Sequence, residues 1–158
     1  MSSVKPVNLS PWRFRGNANA FRQLWTSSSS AIIFFDGASK GNPGISRAGG
    51  VVFSPDRLIE LRFSWGLGIM SNNQAECYSL LLASEIAKEK GYKSIQIFGN
   101  YEMLIKVFIL ADQFNNSTLN KILLRTRNIL KNFEGVTSFH ILRDLNNLAD
   151  AWQIKHAF

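Results

Sequence analysis

Three acids in this chain recur in one local situation. Asp36 closes the apolar run Ile32–Phe35 and leads into Gly37, Gly41, Pro43 and Gly44. Glu76 lies near the start of a long helical pattern and shares a face with Leu80, Ala83 and Ala87. Asp150 leads a second stripe of this kind, with Ile154, Ala157 and Phe158. An ionised carboxylate beside an apolar face is costly unless something cationic compensates it. Carboxylates that converge on one point repel one another, and the arrangement persists when hard cations such as Mg²⁺ bind between them through oxygen ligands. Two such ions, about 3.5–4 Å apart, clamp the attacking and leaving oxygens of a phosphodiester displacement. A fourth position, Asn100, follows the run Ser94–Phe98 and carries an amide rather than an acid. Each acid also has a plainer reading: Asp36 as the residue that opens a turn, Glu76 and Asp150 as first-turn acids complementing a helix dipole. Spacing alone leaves both readings open.

The elements that would position these residues follow from periodicity. The run ending at Phe35 reads as a buried strand, with residues 37–44 as a glycine-rich loop beyond it. Ala48–Ser54 and Leu58–Gly66 read as two further strands around the turn at Pro55 and Asp56, an antiparallel meander; in the second, Ile59, Leu61, Phe63 and Trp65 alternate with polar neighbours. Ser71 with Gln74 three residues later is a capping box, predicting a helix from Ser71 to Lys90, before Gly91. Ser94–Phe98 is then a strand, Tyr101–Leu110 and Leu119–Phe133 are helices, Val136–Leu142 is a strand, and Asn146–Phe158 is a last helix with Asp150 in its first turns. Strand, helix, strand with short joints implies parallel strands added to the meander.

Composition sets the limits. With 158 residues, 46% hydrophobic and 18% charged, the chain suits one domain, and no apolar run approaches a membrane span. A single cysteine, Cys77, excludes an internal disulfide and a thiolate metal cage, and reads as a small core residue. The net charge of +7 favours a polyanionic partner. Part of that charge, Lys5, Arg13, Arg15 and Arg22, sits in residues 1–30, an extension of no sustained period with Trp12, Phe14, Phe21 and Trp25 scattered among polar residues. The glycine segment lacks both the G-K-[ST] ending of a phosphate loop and the G-x-G-x-x-G of a dinucleotide site.

Five segments in order, FFDGASKGNPG, AGGVVF, SNNQAECYSLLLA, SIQIFGN and FHILRDLNNLADAW, resemble the ribonuclease H family, in particular the type I-like domains of plant retroelement-derived proteins. The likeness covers nearly everything from Ile32 onward and leaves residues 1–30 outside, so 31–158 is the expected domain. It implies an α/β ribonuclease H-like fold, a mixed five-stranded sheet in the order 3-2-1-4-5 flanked by helices. It also implies hydrolysis of the RNA strand of an RNA/DNA hybrid with two Mg²⁺ or Mn²⁺ ions. On this resemblance Asp36 bridges both ions, Glu76 holds the one on the leaving-group side, and Asp150 the one that activates water. Gly37, Asn42, Asn72 and Asn73 become substrate contacts, suited to a wide minor groove where 2′-hydroxyls mark the RNA strand. Arg143, more than His140, falls where the family often carries a mobile basic group; His140, at the end of an alternating strand, reads as structural. A nucleic-acid partner, a monomeric state, no membrane, and an intracellular place in nucleus or cytoplasm complete the expectation.

One position departs from the family pattern. Its third metal carboxylate falls at Asn100, where Gly-Asp-Ser is replaced by Gly99, Asn100 and Tyr101. An amide oxygen touches Mg²⁺ without bringing charge, so the leaving-group ion weakens and hydrolysis should be greatly reduced. The bulky Tyr101 in place of a small Ser points to natural divergence rather than a single engineered change. Three functions therefore compete: an impaired ribonuclease H, an inactive hybrid- or RNA-binding module, and a protein-interaction domain using the basic, aromatic tail.

Overall fold

Ala31–Phe35 is apolar at every position because the first strand is central and buried on both faces. In a computed structural model that describes residues 29–109 and 112–141, this strand, β1, spans Ala31–Gly41. It is followed by β2 (Gly44–Phe53), β3 (Glu60–Met70), helix α1 (Asn72–Glu89), β4 (Ser94–Gly99), α2 (Glu102–Ile109), α3 (Ser117–Leu130) and β5 (Gly135–His140). The strands form one sheet in the order β3-β2-β1-β4-β5. β1, β2 and β3 pair antiparallel as the expected meander, while β1–β4 and β4–β5 are parallel. Among the described residues no helix is long and apolar enough to cross a membrane.

Alternation along the strands builds two apolar layers. Ala31, Ile33 and Phe35 join Val52, Ile95 and Ile97 in a core with Leu80, Ala83 and Ala87 of α1 and Leu119, Ile122 and Leu123 of α3. The stripe expected to accompany Glu76 is thus buried as the period requires. On the opposite face Phe34 stacks on Phe98 with ring centroids 5.3 Å apart, Phe98 stacks on Phe139 at 5.1 Å, and Phe53 meets Phe34 edge-on.

Several boundaries differ from the sequence expectation, each for a physical reason. Residues 37–41 are not a loop: Gly37 pairs with Ala48 and the ladder runs to Gly41 opposite Gly44, so β1 and β2 form one long hairpin. A glycine-rich strand is weakly signalled because its stability comes from backbone bonds to a partner rather than from side chains. β3 begins after a turn in which Asp56 and Arg57 bond back to Ser54 and runs to Met70. Its alternation is only half buried: Leu61 and Phe63 pack on the core, whereas Trp65 on this edge strand, like Ile59 just before it, is at least half exposed. α3 starts earlier than its apolar period because the Asn116 side chain caps it through the Leu119 N–H. The expected last helix and the end of the last strand, residues 142–158, lie outside the described residues.

Candidate active site

The site grows from the place where β1 and β4 part. Their parallel pairing ends at Phe34 opposite Phe98; beyond it β1 continues along β2, and β4 ends at Gly99. Asp36 and Asn100 each stand two residues past that last pair. This is the carboxyl-end crevice at which open α/β sheets bind ligands.

The first turn of α1 closes the crevice from the other side. Ser71 caps the helix as its spacing predicts: its side chain accepts from the Gln74 N–H, and the Gln74 side chain accepts from the Ser71 N–H. The cap fixes the helix start, so Glu76 turns inward, where it is only 9% exposed. Its Oε1 accepts a hydrogen bond of 3.0 Å from the Gly37 N–H, placing this carboxylate against the residue that follows Asp36. Such closeness needs a glycine: a Cβ on Gly37 would fall within 2.4 Å of the Ala75 and Glu76 backbone. Asp36 itself is exposed, and its carbonyl lies 3.0 Å from the buried Ser79 hydroxyl, whose single proton is shared with the Ala75 carbonyl 2.7 Å away. Ser79 also accepts from the Gly49 N–H, so one hydroxyl pins α1 to both β1 and β2.

The hairpin tip and the helix start meet above this point. Asn42 Oδ1 accepts from the Asn72 N–H at 3.0 Å, while Ser39 and Ser46 both donate to the Met70 carbonyl just before α1. A cavity of about 320 Å³ opens beneath, lined by Gly37, Ala38 and Ser39 of β1, Asn72 and Glu76 of α1, and Asn100 and Tyr101 after β4. Glu76, Asn100, Gly37 and Asn72 are therefore brought to one cavity, with Asp36 beside it on β1. Asn42 belongs through its bond to Asn72, and Asn73 is exposed one residue further on. His140 is buried at the end of β5 opposite Gly99, in keeping with a structural reading. Arg143 and Asp150 lie outside the described residues.

Two contributors went unnoticed in the residue pattern. Ser79 carries the signal of a hydroxyl three positions after Glu76 inside an otherwise apolar stripe. Tyr101, in sequence a mark of divergence, packs beside the site. Its ring lies parallel to Phe114, centroids 6.4 Å apart, and its hydroxyl is buried with no hydrogen-bond partner among the described residues. Burial, with smaller contributions from nearby Cys77 and Glu76, pushes its phenol well above the ordinary range, so it stays a protonated donor. Burial, then Glu76, pushes the Cys77 thiol up to about 12, leaving it neither nucleophile nor metal ligand at neutral pH.

The donor set has the chemistry of a hard-cation site. Glu76 and Asp36 supply carboxylate oxygens and Asn100 an amide oxygen, the ligand types of Mg²⁺ and Mn²⁺. Among the described residues no three His, Cys, Asp or Glu side chains gather at one point, because position 100 is an amide and residue 150 lies outside them. The residues present fit such an ion, with less charge than three acids would bring.

A family model described as "Reverse transcriptase-like" matches residues 34–153. A Ribonuclease HI of Halobacterium salinarum is 35% identical over 118 residues, a match covering 75% of this chain and 59% of that protein, so the chain spans 59% of that relative's length. The crystal structure of RNase H1 from the halophilic archaeon Halobacterium salinarum superposes with a TM-score of 0.70 at 34% identity, over 77% of this chain and 92% of that one. The crystal structure of LC11-RNase H1 in complex with RNA/DNA hybrid superposes with a TM-score of 0.68 at 25% identity, over 81% of this chain and 99% of that one.

Proposed function

Because the chain belongs to the ribonuclease H family, we propose that it binds RNA/DNA hybrids and cleaves their RNA strand, with a rate limited by Asn100. The observation that carries this reading is the bond from the Gly37 N–H to Glu76, which joins the acid of α1 to the strand bearing Asp36 at the mouth of a cavity that Asn100 also lines. The likeness to a solved complex with RNA/DNA hybrid supports that class of substrate.

Asp36, Glu76 and Asp150 would hold Mg²⁺ or Mn²⁺, two ions in the full arrangement, with Asn100 as a neutral oxygen donor. Bound there, the ions would lower the pKa of a water and stabilise charge on the phosphate oxygens. The chain's own residues do the rest. Gly37 holds Glu76 in place through its N–H, and Ser79 fixes the backbone of Asp36. The bond from the Asn72 N–H holds the Asn42 amide at the rim beside the Asn72 side chain, where short polar groups suit the 2′-hydroxyls of a wide minor groove. Contacts of this kind read shape rather than sequence, so no base preference is expected.

Incubating labelled RNA/DNA hybrid with the protein and Mn²⁺ or high Mg²⁺ tests the proposal. Slow cleavage confined to the RNA strand is expected, and Asp36→Asn should lower it on the order of 100-fold or more, as removal of a charge-stabilising group does. Cleavage of both strands, or equal rates in the variant, would overturn it. Asn100 also favours a second reading, a module that binds hybrid without cutting it. A gel shift at low salt with no cleavage under either metal would select that one.

A further inference from the structure

Beyond the cavity the β1–β2 hairpin carries an exposed surface of opposite sign to the acids. Side chains two residues apart on a strand share a face, as do directly paired residues of neighbouring strands. Asp36, Ala38 and Lys40 of β1 therefore share a face with Arg47, the partner of Ala38, and Ile45, the partner of Lys40. On β3, Ile69 pairs with Ile45 and Gly66 with Arg47, and the register shifts between Ser46 and Arg47. A bulge of this kind beside a site re-aims a side chain. Lys40 and Arg47 are exposed, and among the described residues neither is in an ion pair. Arg47 donates one N–H to the Ser64 hydroxyl at 3.0 Å, and the rest of its guanidinium fork faces no acid. Next to the two cations Ile45 and Ile69, 70% and 69% exposed, form an apolar pair open to solvent. Ala38, which lines the cavity, joins this surface to it. Cations around an apolar pair complement a backbone whose phosphates are anionic and whose sugars present carbon.

Resting on the nucleic-acid reading above, we propose that this face of the hairpin holds the backbone of the nucleic-acid strand that occupies the cavity, where it leaves over β1 and β2, with Arg47 and Lys40 each meeting one phosphate. Arg47 stands one row beyond Asp36 on this face and Lys40 two rows beyond. Each row advances about 6.8 Å at the rise of an antiparallel strand, the order of the separation between neighbouring phosphates of one chain. Arg47 presents a planar fork to phosphate oxygens and Lys40 a compact charge. Both stand outside the group of acids, so their attraction persists whichever ion fills the cavity. Contacts of this kind set position and register without reading bases.

The test is the affinity of a labelled RNA/DNA hybrid by fluorescence anisotropy in Ca²⁺, a hard cation that neutralises the acids, across a series of KCl concentrations. Lys40→Gln and Arg47→Gln should each weaken binding on the order of fivefold at low salt, the scale of one exposed ion pair. Each should also lower the slope of log affinity against log salt by about 1, the signature of one lost phosphate contact. Arg47→Lys keeps the charge without the fork and should keep the parent slope, a rescue that a purely structural role of Arg47 would not produce. Lys121→Gln removes an exposed charge from α3, which packs on the other face of the sheet, and should leave affinity and slope unchanged. Unchanged slopes in both Lys40→Gln and Arg47→Gln would overturn the proposal, as would a Lys121→Gln protein weakened as much as they are, which would show attraction to bulk charge. Either result leaves the hybrid-binding reading in place. If the parent binds no hybrid at any salt, the proposed function falls, and the hairpin contact with it.

Discussion

The β1–α1 junction and the β4–α2 junction face each other across one cavity and are built in different ways. At the first, a capped helix lies against a glycine strand, one carboxylate is held by a backbone N–H, and a buried serine ties the helix to two strands. At the second, β4 ends at Gly99, and the two residues that follow, Asn100 and Tyr101, line the cavity, Tyr101 with its ring against Phe114. The first junction keeps every acid the family resemblance expects among its residues; the second has exchanged its acid. On the proposed function, position and charge at such a site are therefore separable: the backbone that aims these side chains persists while the acid expected at position 100 is an amide.

Small changes on the two sides should separate in size. The largest effect expected is from Gly37→Ala, since its Cβ would fall within 2.4 Å of the Ala75 and Glu76 backbone, which cannot move without undocking α1. A loss of about 3 kcal/mol or more in denaturant unfolding is expected. Gly99→Ala on the other side meets the Phe35 ring at 2.3 Å, a side chain that can shift where a helix backbone cannot, and should cost less, about 1–3 kcal/mol. The reverse order would show that the helix docking is not the rigid half. Ser79→Ala should cost less again, about 1–2 kcal/mol, because it strips the Gly49 N–H and the Asp36 carbonyl of a shared buried partner. It should also lower hybrid cleavage beyond what stability explains, by loosening the backbone under Asp36. A stability loss with unchanged cleavage would confine Ser79 to packing.

The same contrast explains what was legible in the amino-acid sequence. The capping box at Ser71 and Gln74, the buried run before Asp36 and the stripe Leu80, Ala83, Ala87 are local signals, and each fixes its element without knowledge of the rest. Periods and joints pointed to a meander with parallel strands added, and the sheet order came from the resemblance. Residues 37–41 misled because glycines adjacent to a proline look like a loop unless their ladder partners, Ala48 back to Gly44, are known. Trp65 misled because alternation shows a face and not whether a helix covers it at the sheet's edge. Ser79 and Tyr101 act through tertiary contacts, with β1 and β2 and with Phe114, that no local period encodes.

The central claim of the proposed function is that cleavage is limited by charge at one position, residue 100, rather than by geometry at several. Asn100→Asp changes that charge while leaving the Gly37–Glu76 bond and the α1 cap untouched. Measured as the Mg²⁺-dependent rate of RNA-strand cleavage in a labelled RNA/DNA hybrid, the variant should exceed the parent on the order of 100-fold, the scale of one charge-stabilising group. Equal rates, or a slower variant of unchanged stability, would contradict the account.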